Sequence, residues 1–469
     1  MIISYMRGFH RSERGWGVVW LLAALAAGLG LRLWFIAHGP RVTGDTLVYG
    51  GFAKNLLQRG VYGFTTAAGG VRPTLIRLPG YPLFLAACFR VFGVENYRAV
   101  MDVQAVVDLG TCLLVAGTAG RLFGRRAFWV GLWIGVLCPF TANYVAVPLT
   151  ETLSLLCVAG AFYGMVRWRE AGFGVNRWCW VIGAALAYAV LLRPEQGLLA
   201  AAVVPGMGRM VLLGTGGWRR FGPAVVASLM VVLPLVPWAA RNWRVFHVFE
   251  PLAPRYATDP GEKIPLGFQR WFRTWGVDFI STDQVYWRYD TDPILVTDLP
   301  SRAFDSAEQR AATAALLDEY NVTTSQSDAL DRRFAELARE RVAAGWFRYY
   351  VEMPVGRMVN MLLRPRVELL TLPLDWWNWR GRKMSSFESL ELAGVNLAYM
   401  VLAGMGVWRW RGDPVRWAMV AFFVLRCGML LTIDNSEPRY TLEFFPVWMV
   451  WAGAVFGGRG RMAADSLQA

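Results

Sequence analysis

Ten apolar runs recur along the chain, at 16–37, 97–120, 127–145, 150–168, 178–193, 196–213, 221–242, 389–408, 415–432 and 443–457. Most approach the twenty or so residues that carry a helix across a hydrocarbon core of about 30 Å. The pattern predicts an all-α polytopic membrane protein with about ten transmembrane helices. Two long polar stretches interrupt it. They divide the chain into an N-terminal transmembrane module at 1–242, whose first outer loop is 38–96, a polar lobe at 243–387, and C-terminal helices at 388–469.

Short periodic segments fill the polar stretches. Val48, Phe52 and Leu56 recur at i+4 within 46–59, opposite Lys54, Asn55, Gln58 and Arg59, which predicts an amphipathic helix ended by Gly60. Pro82 to Phe92 is apolar but covers only about 16 Å as a helix. It reads as an interfacial helix, started by Pro82 and stopped by Gly93. In the lobe, 303–319 and 327–349 carry helical spacing, with Phe334, Leu337 and Arg341 on one face, and 353–372 reads as an amphipathic segment lying on the membrane.

Composition agrees: 55% of the residues are hydrophobic, too many for a soluble chain with this pattern. The net charge of +14 raises the question of nucleic acid. Lys54, Lys263 and Lys383 are the only lysines, and the arginines sit in short clusters between apolar runs rather than along one face. That is the arrangement of orientation signals, and it excludes nucleic acid as a partner. The clusters are Arg7/Arg11/Arg14, Arg121/Arg125/Arg126, Arg167/Arg169/Arg177, Arg209/Arg219/Arg220, Arg409/Arg411/Arg416 and Arg459/Arg461. Ten spans with both termini inside place all of them on the cytoplasmic side, and 38–96 and 243–387 outside. The first run is too long for a signal peptide and reads as a retained anchor. Six cysteines in apolar segments, none in a CxxC, and the isolated His10, His38 and His247 offer no disulfide frame and no multi-histidine metal chemistry.

The remaining polar residues concentrate at the outer ends of the runs. Asp45 follows the first span and reads either as the cap of the 46–59 helix or as a catalytic base. Arg77, before the rigid Pro79-Gly80-Tyr81-Pro82 turn, is a snorkelling arginine or a phosphate ligand. Glu151 opens one span, and Arg193-Pro194-Glu195 joins two others. An Arg–Glu staple and a functional pair both fit there. Between the last two spans lies Asp434-Asn435-Ser436-Glu437-Pro438-Arg439-Tyr440, either a polar loop or part of a site. Helix caps do not require Asp45, Arg77, Glu151, Arg193, Glu195, Glu437 and Arg439 to share one side of the membrane. A site for an anionic lipid head group does, because guanidinium groups bind phosphate and a carboxylate can take a proton from an acceptor.

Six stretches together resemble a known family. They are Gly44-Asp45 with Tyr49, Arg77-Leu-Pro-Gly-Tyr-Pro-Leu-Phe-Leu, Arg121-Leu-Phe-Gly-Arg, Pro148-Leu-Thr-Glu151, Arg193-Pro-Glu195 and Glu437-Pro-Arg439-Tyr440. The set is similar to the GT-C membrane glycosyltransferases, in particular the bacterial branch of glycosyltransferase family 39. That branch includes protein O-mannosyltransferase-like enzymes and the aminoarabinose transferase of lipid A. The resemblance covers about the first two hundred residues and the last forty. It implies a GT-C fold and a polyprenyl-phosphate sugar as donor. It also implies catalysis at the periplasmic face of a bacterial inner membrane. Carried onto this chain, Asp45 is the catalytic base and Glu151 a second acid near the acceptor. Arg77, Arg193 and Arg439 become donor-phosphate ligands, with Tyr81, Glu195, Glu437 and Tyr440 beside them. Several relatives carry paired acids in the first loop, whereas here Asp45 stands alone before Glu95. A divalent metal is compatible with the resemblance, but no metal-ligand spacing in the sequence supports one.

The expected reaction moves one sugar to an acceptor hydroxyl or amine on a lipid, glycan or protein. Two other classes compete. A lipid-linked-sugar transporter predicts polar residues at the midplane and repeat symmetry; the polar residues here lie at the outer ends and no repeat is visible. An O-antigen ligase or polymerase predicts a short first loop and a dominant late one; the first loop here is substantial and carries the acid.

Overall fold

The computed structural model describes residues 11–42, 44–213 and 218–457, except the side chains of 11–15 and 218–219. Arg7, His10, Arg459, Arg461 and the side chains of Arg11, Arg14 and Arg219 therefore lie outside the described residues. The chain forms two compact units, one of 1–260, 398–423 and 442–469 and one of 261–397 and 424–441.

All ten apolar runs are helical. Among the described residues, five helices are by themselves long and apolar enough to cross a membrane: Trp16–His38, Tyr97–Phe123, Pro194–Leu213, Gly222–Phe246 and Lys383–Arg409. The others are shorter, more charged or interrupted. The run at 127–145 splits into Arg125–Val136 and Pro139–Tyr144, because Pro139 has no N–H to continue the ladder. The last run begins with a tight turn at Pro438–Phe444 before Phe445–Phe456.

In the first unit, helix Arg11–His38 packs on Tyr97–Phe123 and Arg125–Val136 through Leu21, Ala24, Cys112, Ala116, Phe128, Leu132 and Val136. Small residues let these backbones approach: a Cβ on Gly28 would lie 2.7 Å from that of Val136. The same contact buries Arg32 and Asp108. Arg32 Nε donates to Asp108 Oδ2 at 2.9 Å, and Nη1 donates to the carbonyls of Gly28 and Val136, both at 2.8 Å. Charge and donors are met locally, so this pair staples three helices. Arginine clusters at one end are likewise tied down, Arg121 to Glu170 at 2.6 Å and Arg169 to Asp413 at 2.8 Å.

The first outer loop is a small folded layer. Helix Gly44–Arg59 leads to a two-stranded antiparallel hairpin, Gly63–Thr65 with Val71–Pro73, in register Gly63↔Pro73. Phe52, Tyr62, Leu75, Leu78 and Trp238 form its core. Arg241 clamps it, donating to the carbonyls of Thr74 at 2.7 Å and Tyr62 at 2.9 Å. The interfacial helix runs Gly80–Phe92. It starts two residues before Pro82 because Pro79 supplies the N-cap and Gly80 packs directly on a neighbouring backbone. Gly93 ends it with φ of 101°.

The second unit holds the helical lobe. Leu266–Arg273, Ala307–Thr323 and Asp328–Ala344 enclose Phe268, Trp271, Phe272, Trp275, Tyr320 and Phe334. Ser306 and Ser327 cap the second and third helices by accepting from Gln309 N and Leu330 N. Arg341, fully buried, ties the three segments through Thr274 Oγ1, Gln309 Oε1 and the Arg302 carbonyl. The amphipathic helix Met353–Leu363 stops short of residue 372, because Pro365 disfavours continuation. It leaves Val355, Val359 and Leu363 exposed at i+4 and turns Arg357 and Met361 inward.

Candidate active site

Asp45 lies in the first turn of helix Gly44–Arg59, one residue inside its start rather than at the cap. The position before Gly44 lies outside the described residues. The helix is fixed by Thr46, whose hydroxyl donates to the Pro148 carbonyl at 3.2 Å. That contact brings the Asp45 turn to the segment that leads into Glu151.

Two sequence-predicted acid–arginine pairs gather here, with Glu195 beside the second. Arg77 Nη2 lies 3.5 Å from Asp45 Oδ1, both side chains about a third exposed. Glu151, 2% exposed, meets Arg193 Nη1 at 3.2 Å, and Arg193 Nε meets Glu195 at 2.6 Å. Tyr49 sits among them. Burial pushes its phenol above the ordinary value; Arg77 and Arg193 oppose that, while Asp45 and Glu151 reinforce it. All four charges thus act on one buried side chain.

The scaffold beneath is specific. Tyr81, fully buried, packs edge-on against Tyr49 with ring centroids 5.3 Å apart. Its hydroxyl donates to Gln104 Oε1 at 2.8 Å, and Gln104 Nε2 donates to the carbonyls of Val145 and Val147. Tyr81 thus braces the site and its hydroxyl is committed to Gln104. Tyr188 OH donates to the Gly80 carbonyl at 3.2 Å. A Cβ on Gly80 would lie 2.5 Å from the Leu191 carbonyl oxygen, so only glycine allows the Arg77 turn to lie on the backbone that leads to Arg193.

Glu437, Arg439 and Tyr440 belong to the second unit and form their own cluster. Arg439 pairs with Glu437, which also accepts from Asn435 Nδ2 at 2.7 Å and from Tyr440 OH at 3.2 Å. Sequence reasoning passed over the arginines that hold this loop. Arg366, 3% exposed, donates to the Pro438 carbonyl and to Thr441 Oγ1, and Arg426 donates to the Tyr440 carbonyl at 2.9 Å. Arg273 meets Asp434 at 3.2 Å. The readable signal was Arg426 itself, inside the run Phe422-Phe423-Val424-Leu425-Arg426, where an arginine costs roughly 2.5–3.5 kcal/mol to insert unless it is matched.

Among the described residues, no three His, Cys, Asp or Glu side chains gather as a metal would require. Asp45 and Glu151 each face an arginine, a donor set that does not fit a dication, and no step below is routed through one.

The family model described as dolichyl-phosphate-mannose-protein mannosyltransferase matches residues 72–240. That range contains Arg77, Tyr81, Glu151, Arg193 and Glu195 and begins after Asp45. The fold aligns with the archaeal oligosaccharyltransferase AglB from Archaeoglobus fulgidus, solved with an inhibitory peptide and a dolichol-phosphate. The TM-score is 0.53 at 11% identity, over 95% of this chain and 50% of that one. The chain shares the fold of that membrane glycosyltransferase. It spans about half the length of AglB. It also aligns with ArnT from Cupriavidus metallidurans in the apo state, at a TM-score of 0.38 and 17% identity over 95% of this chain and 78% of that one. The alignment to ArnT bound to undecaprenyl phosphate has a TM-score of 0.40 at 16% identity, over 94% and 78%. No curated protein matches the chain by sequence.

Proposed function

We propose that this chain is a glycosyltransferase that moves a single sugar from a polyprenyl-phosphate carrier to an acceptor hydroxyl or amine, with Asp45 as the general base. The observation that carries the reading is the set of two acids and two arginines around Tyr49, one acid exposed and one buried. Asp45, about a third exposed, is the more accessible of the two acids to an incoming acceptor. Its contact with Arg77 is loose, and exposed pairs of this kind are worth roughly 0–1 kcal/mol. Arg77 is therefore free to turn to a phosphate when one arrives, which leaves Asp45 a stronger base. The buried acid, Glu151, orients Arg193 together with Glu195.

In the reaction, the acceptor oxygen or nitrogen attacks the anomeric carbon and Asp45 takes its proton. The bond from that carbon to the phosphate oxygen breaks, and the carrier phosphate leaves with the electron pair. Arginine stabilises the charge that develops on it. A single direct displacement inverts the anomeric centre. Arg439, oriented by Glu437, is proposed as a further ligand for an anionic group. Ten membrane crossings, cytoplasmic termini and a periplasmic site and lobe complete the proposal. They rest on the arginine clusters and place the enzyme in a bacterial inner membrane.

The test is turnover of polyprenyl-phosphate sugars by the purified chain in detergent. Release of free polyprenyl phosphate that depends on an acceptor supports the reading. Binding of such lipids without any release, or their movement between leaflets without cleavage, contradicts it and favours a transporter.

A further inference from the structure

Arg357 lies on the inward face of helix Met353–Leu363 and is 1% exposed. Its Nη1 donates to the carbonyls of Arg273, at 3.2 Å, and Gly276, at 3.0 Å, and so closes the end of helix Leu266–Arg273. The other edge of the guanidinium is different. Nε and Nη2 are both buried, and neither meets an acceptor among the described residues. Buried donors of a charged group are costly to leave unmatched.

That edge has a defined chemistry. Nε–H and one N–H of Nη2 point the same way and form a planar fork that fits two oxygens of one carboxylate or phosphate. The protein uses the same two donors elsewhere, where Arg32 Nε and Nη2 both donate to Asp108. Closing the helix end needs only Nη1, so a purely structural role leaves the fork of Arg357 unexplained.

The charges around the fork favour an anion. Arg273 and Asp434 are the charged groups that act on Arg357, and Arg273 Nε meets Asp434 at 3.2 Å. Two guanidinium groups therefore share this carboxylate. Burial first, and then the Arg273 charge, lower Arg357 to about 10, with Asp434 and Tyr349 opposing, so it is a cation at neutral pH. One further negative charge balances the set and two overshoot it. Water satisfies the donors but leaves the charge. Arg273, over the Tyr349 ring and 29% exposed, carries the patch to the surface. Asn360, one turn along from Arg357, accepts from Ser436 Oγ at 3.2 Å, which brings the loop that carries Asp434 to this helix.

We infer that the Nε–Nη2 edge of Arg357 binds one singly charged oxyanion of a substrate, a carboxylate or a phosphodiester, that enters past Arg273. The site stands on the residues of the second unit and does not depend on the transfer chemistry.

The test is thermal melting of the full chain in neutral detergent, titrated with sodium acetate or sodium dimethyl phosphate against sodium chloride at equal ionic strength. Acetate represents the carboxylate and dimethyl phosphate the phosphodiester, and the tighter of the two names the source. Salts excluded from the surface stabilise proteins generally, in proportion to their concentration. A bound ion instead gives a rise that bends towards the logarithm of its concentration. The wild-type chain should show that bend with at least one of the two salts. Arg357→Gln should leave only the proportional rise. Arg357→Lys, which keeps the charge without the fork, should bind roughly tenfold weaker. Arg270→Gln, exposed on helix Leu266–Arg273, should bind as the wild type does. A proportional rise with both salts in the wild-type chain overturns the inference even if the Gln variant does not fold. So does an unchanged bend in a folded Gln variant.

Discussion

Gly80→Ala tests whether the two halves of the proposed site depend on one backbone contact. The added Cβ would lie 2.5 Å from the Leu191 oxygen, 2.6 Å from its carbonyl carbon and 2.8 Å from the Leu192 nitrogen. All three are backbone atoms inside helix Arg177–Leu192, so no rotamer change relieves the clash. Reaching an ordinary contact of about 3.4 Å requires the segments to part by about 0.9 Å. Gly80 is helical, so the backbone itself tolerates alanine. The strain should cost about 1–3 kcal/mol of stability, the usual range for overpacking. The larger effect falls on function. Arg77 and Tyr81 flank Gly80, while Arg193 follows Leu191 closely, so the shift separates Arg77 and Asp45 from Arg193 and Glu151. A misplacement of about 1 Å can cost about a hundredfold in rate. Gly51→Ala is the control: that glycine lies in helix Gly44–Arg59 with nothing within 4 Å of its Cβ, so alanine there should be neutral or slightly stabilising. The assay is acceptor-dependent release of polyprenyl phosphate, run beside thermal melting of each variant. A Gly80→Ala enzyme with the wild-type rate and a lowered melting point would show that the contact is only structural and that the two halves are not coupled.

Topology, charge and acidity give three more tests. Periplasm-specific reporters fused at Tyr320 should be active and at Gly172 silent; the reverse would place the Asp45 cluster on the cytoplasmic side. Arg193→Ala and Arg439→Ala should each lower apparent donor affinity by about one to two orders of magnitude, from the roughly 1.5–3 kcal/mol of a charged hydrogen bond, with Lys rescuing in part; a lowered melting point with unchanged donor affinity would mark that arginine as a staple. Asp305 is held below its usual value first by its two-pronged hydrogen bond from Arg348, at 2.8 and 2.9 Å, against some burial and with help from the Arg341 charge. A carboxylate lowered by folding contributes stability that is present above its unfolded pKa and lost as pH falls through the lowered value. Asp305→Asn should therefore lower the melting point at neutral pH and shrink its fall on acidification, and parallel melting curves from neutral to acid pH would refute that.

Sequence periodicity located helices in all ten apolar runs because the runs are long, and five helices among the described residues are by themselves long and apolar enough to cross a membrane. It located the amphipathic helix at 46–59 by an i+4 repeat against charged neighbours, and the 353–372 segment only in part, since that helix ends at Leu363. It did not reveal the hairpin at 63–73, whose strands are only three residues long and owe their existence to Arg241 and Trp238, far away in sequence. Charge partners were the hardest to read. Asp45 and Arg77 are separated by a folded loop, and Glu151 and Arg193 by a helical hairpin, so nothing local says which acid meets which arginine. Asp45 falls in the first turn of its helix, and its carboxylate also lies 3.5 Å from Arg77, a partner thirty-two residues away that no local pattern could name. Arg366 and Arg426 were missed because their partners are carbonyls around Pro438 and Tyr440, and a carbonyl leaves no side-chain signal in the sequence.

The central claim is that Asp45 is a base, and Asp45→Asn tests it most directly. The amide keeps the size of the carboxylate and an acceptor oxygen, and the partly exposed pairing with Arg77 and first-turn charge that it loses are together worth only about 1 kcal/mol. It cannot accept a proton from the acceptor. Sugar transfer from polyprenyl phosphate by the purified Asn variant, measured beside donor binding and thermal melting, should fall by roughly a hundredfold to ten-thousandfold, the range attributed to general-base catalysis, with donor binding and melting retained. Transfer at the wild-type rate would contradict the account and pass the role of base to another residue, with Glu151 first in line.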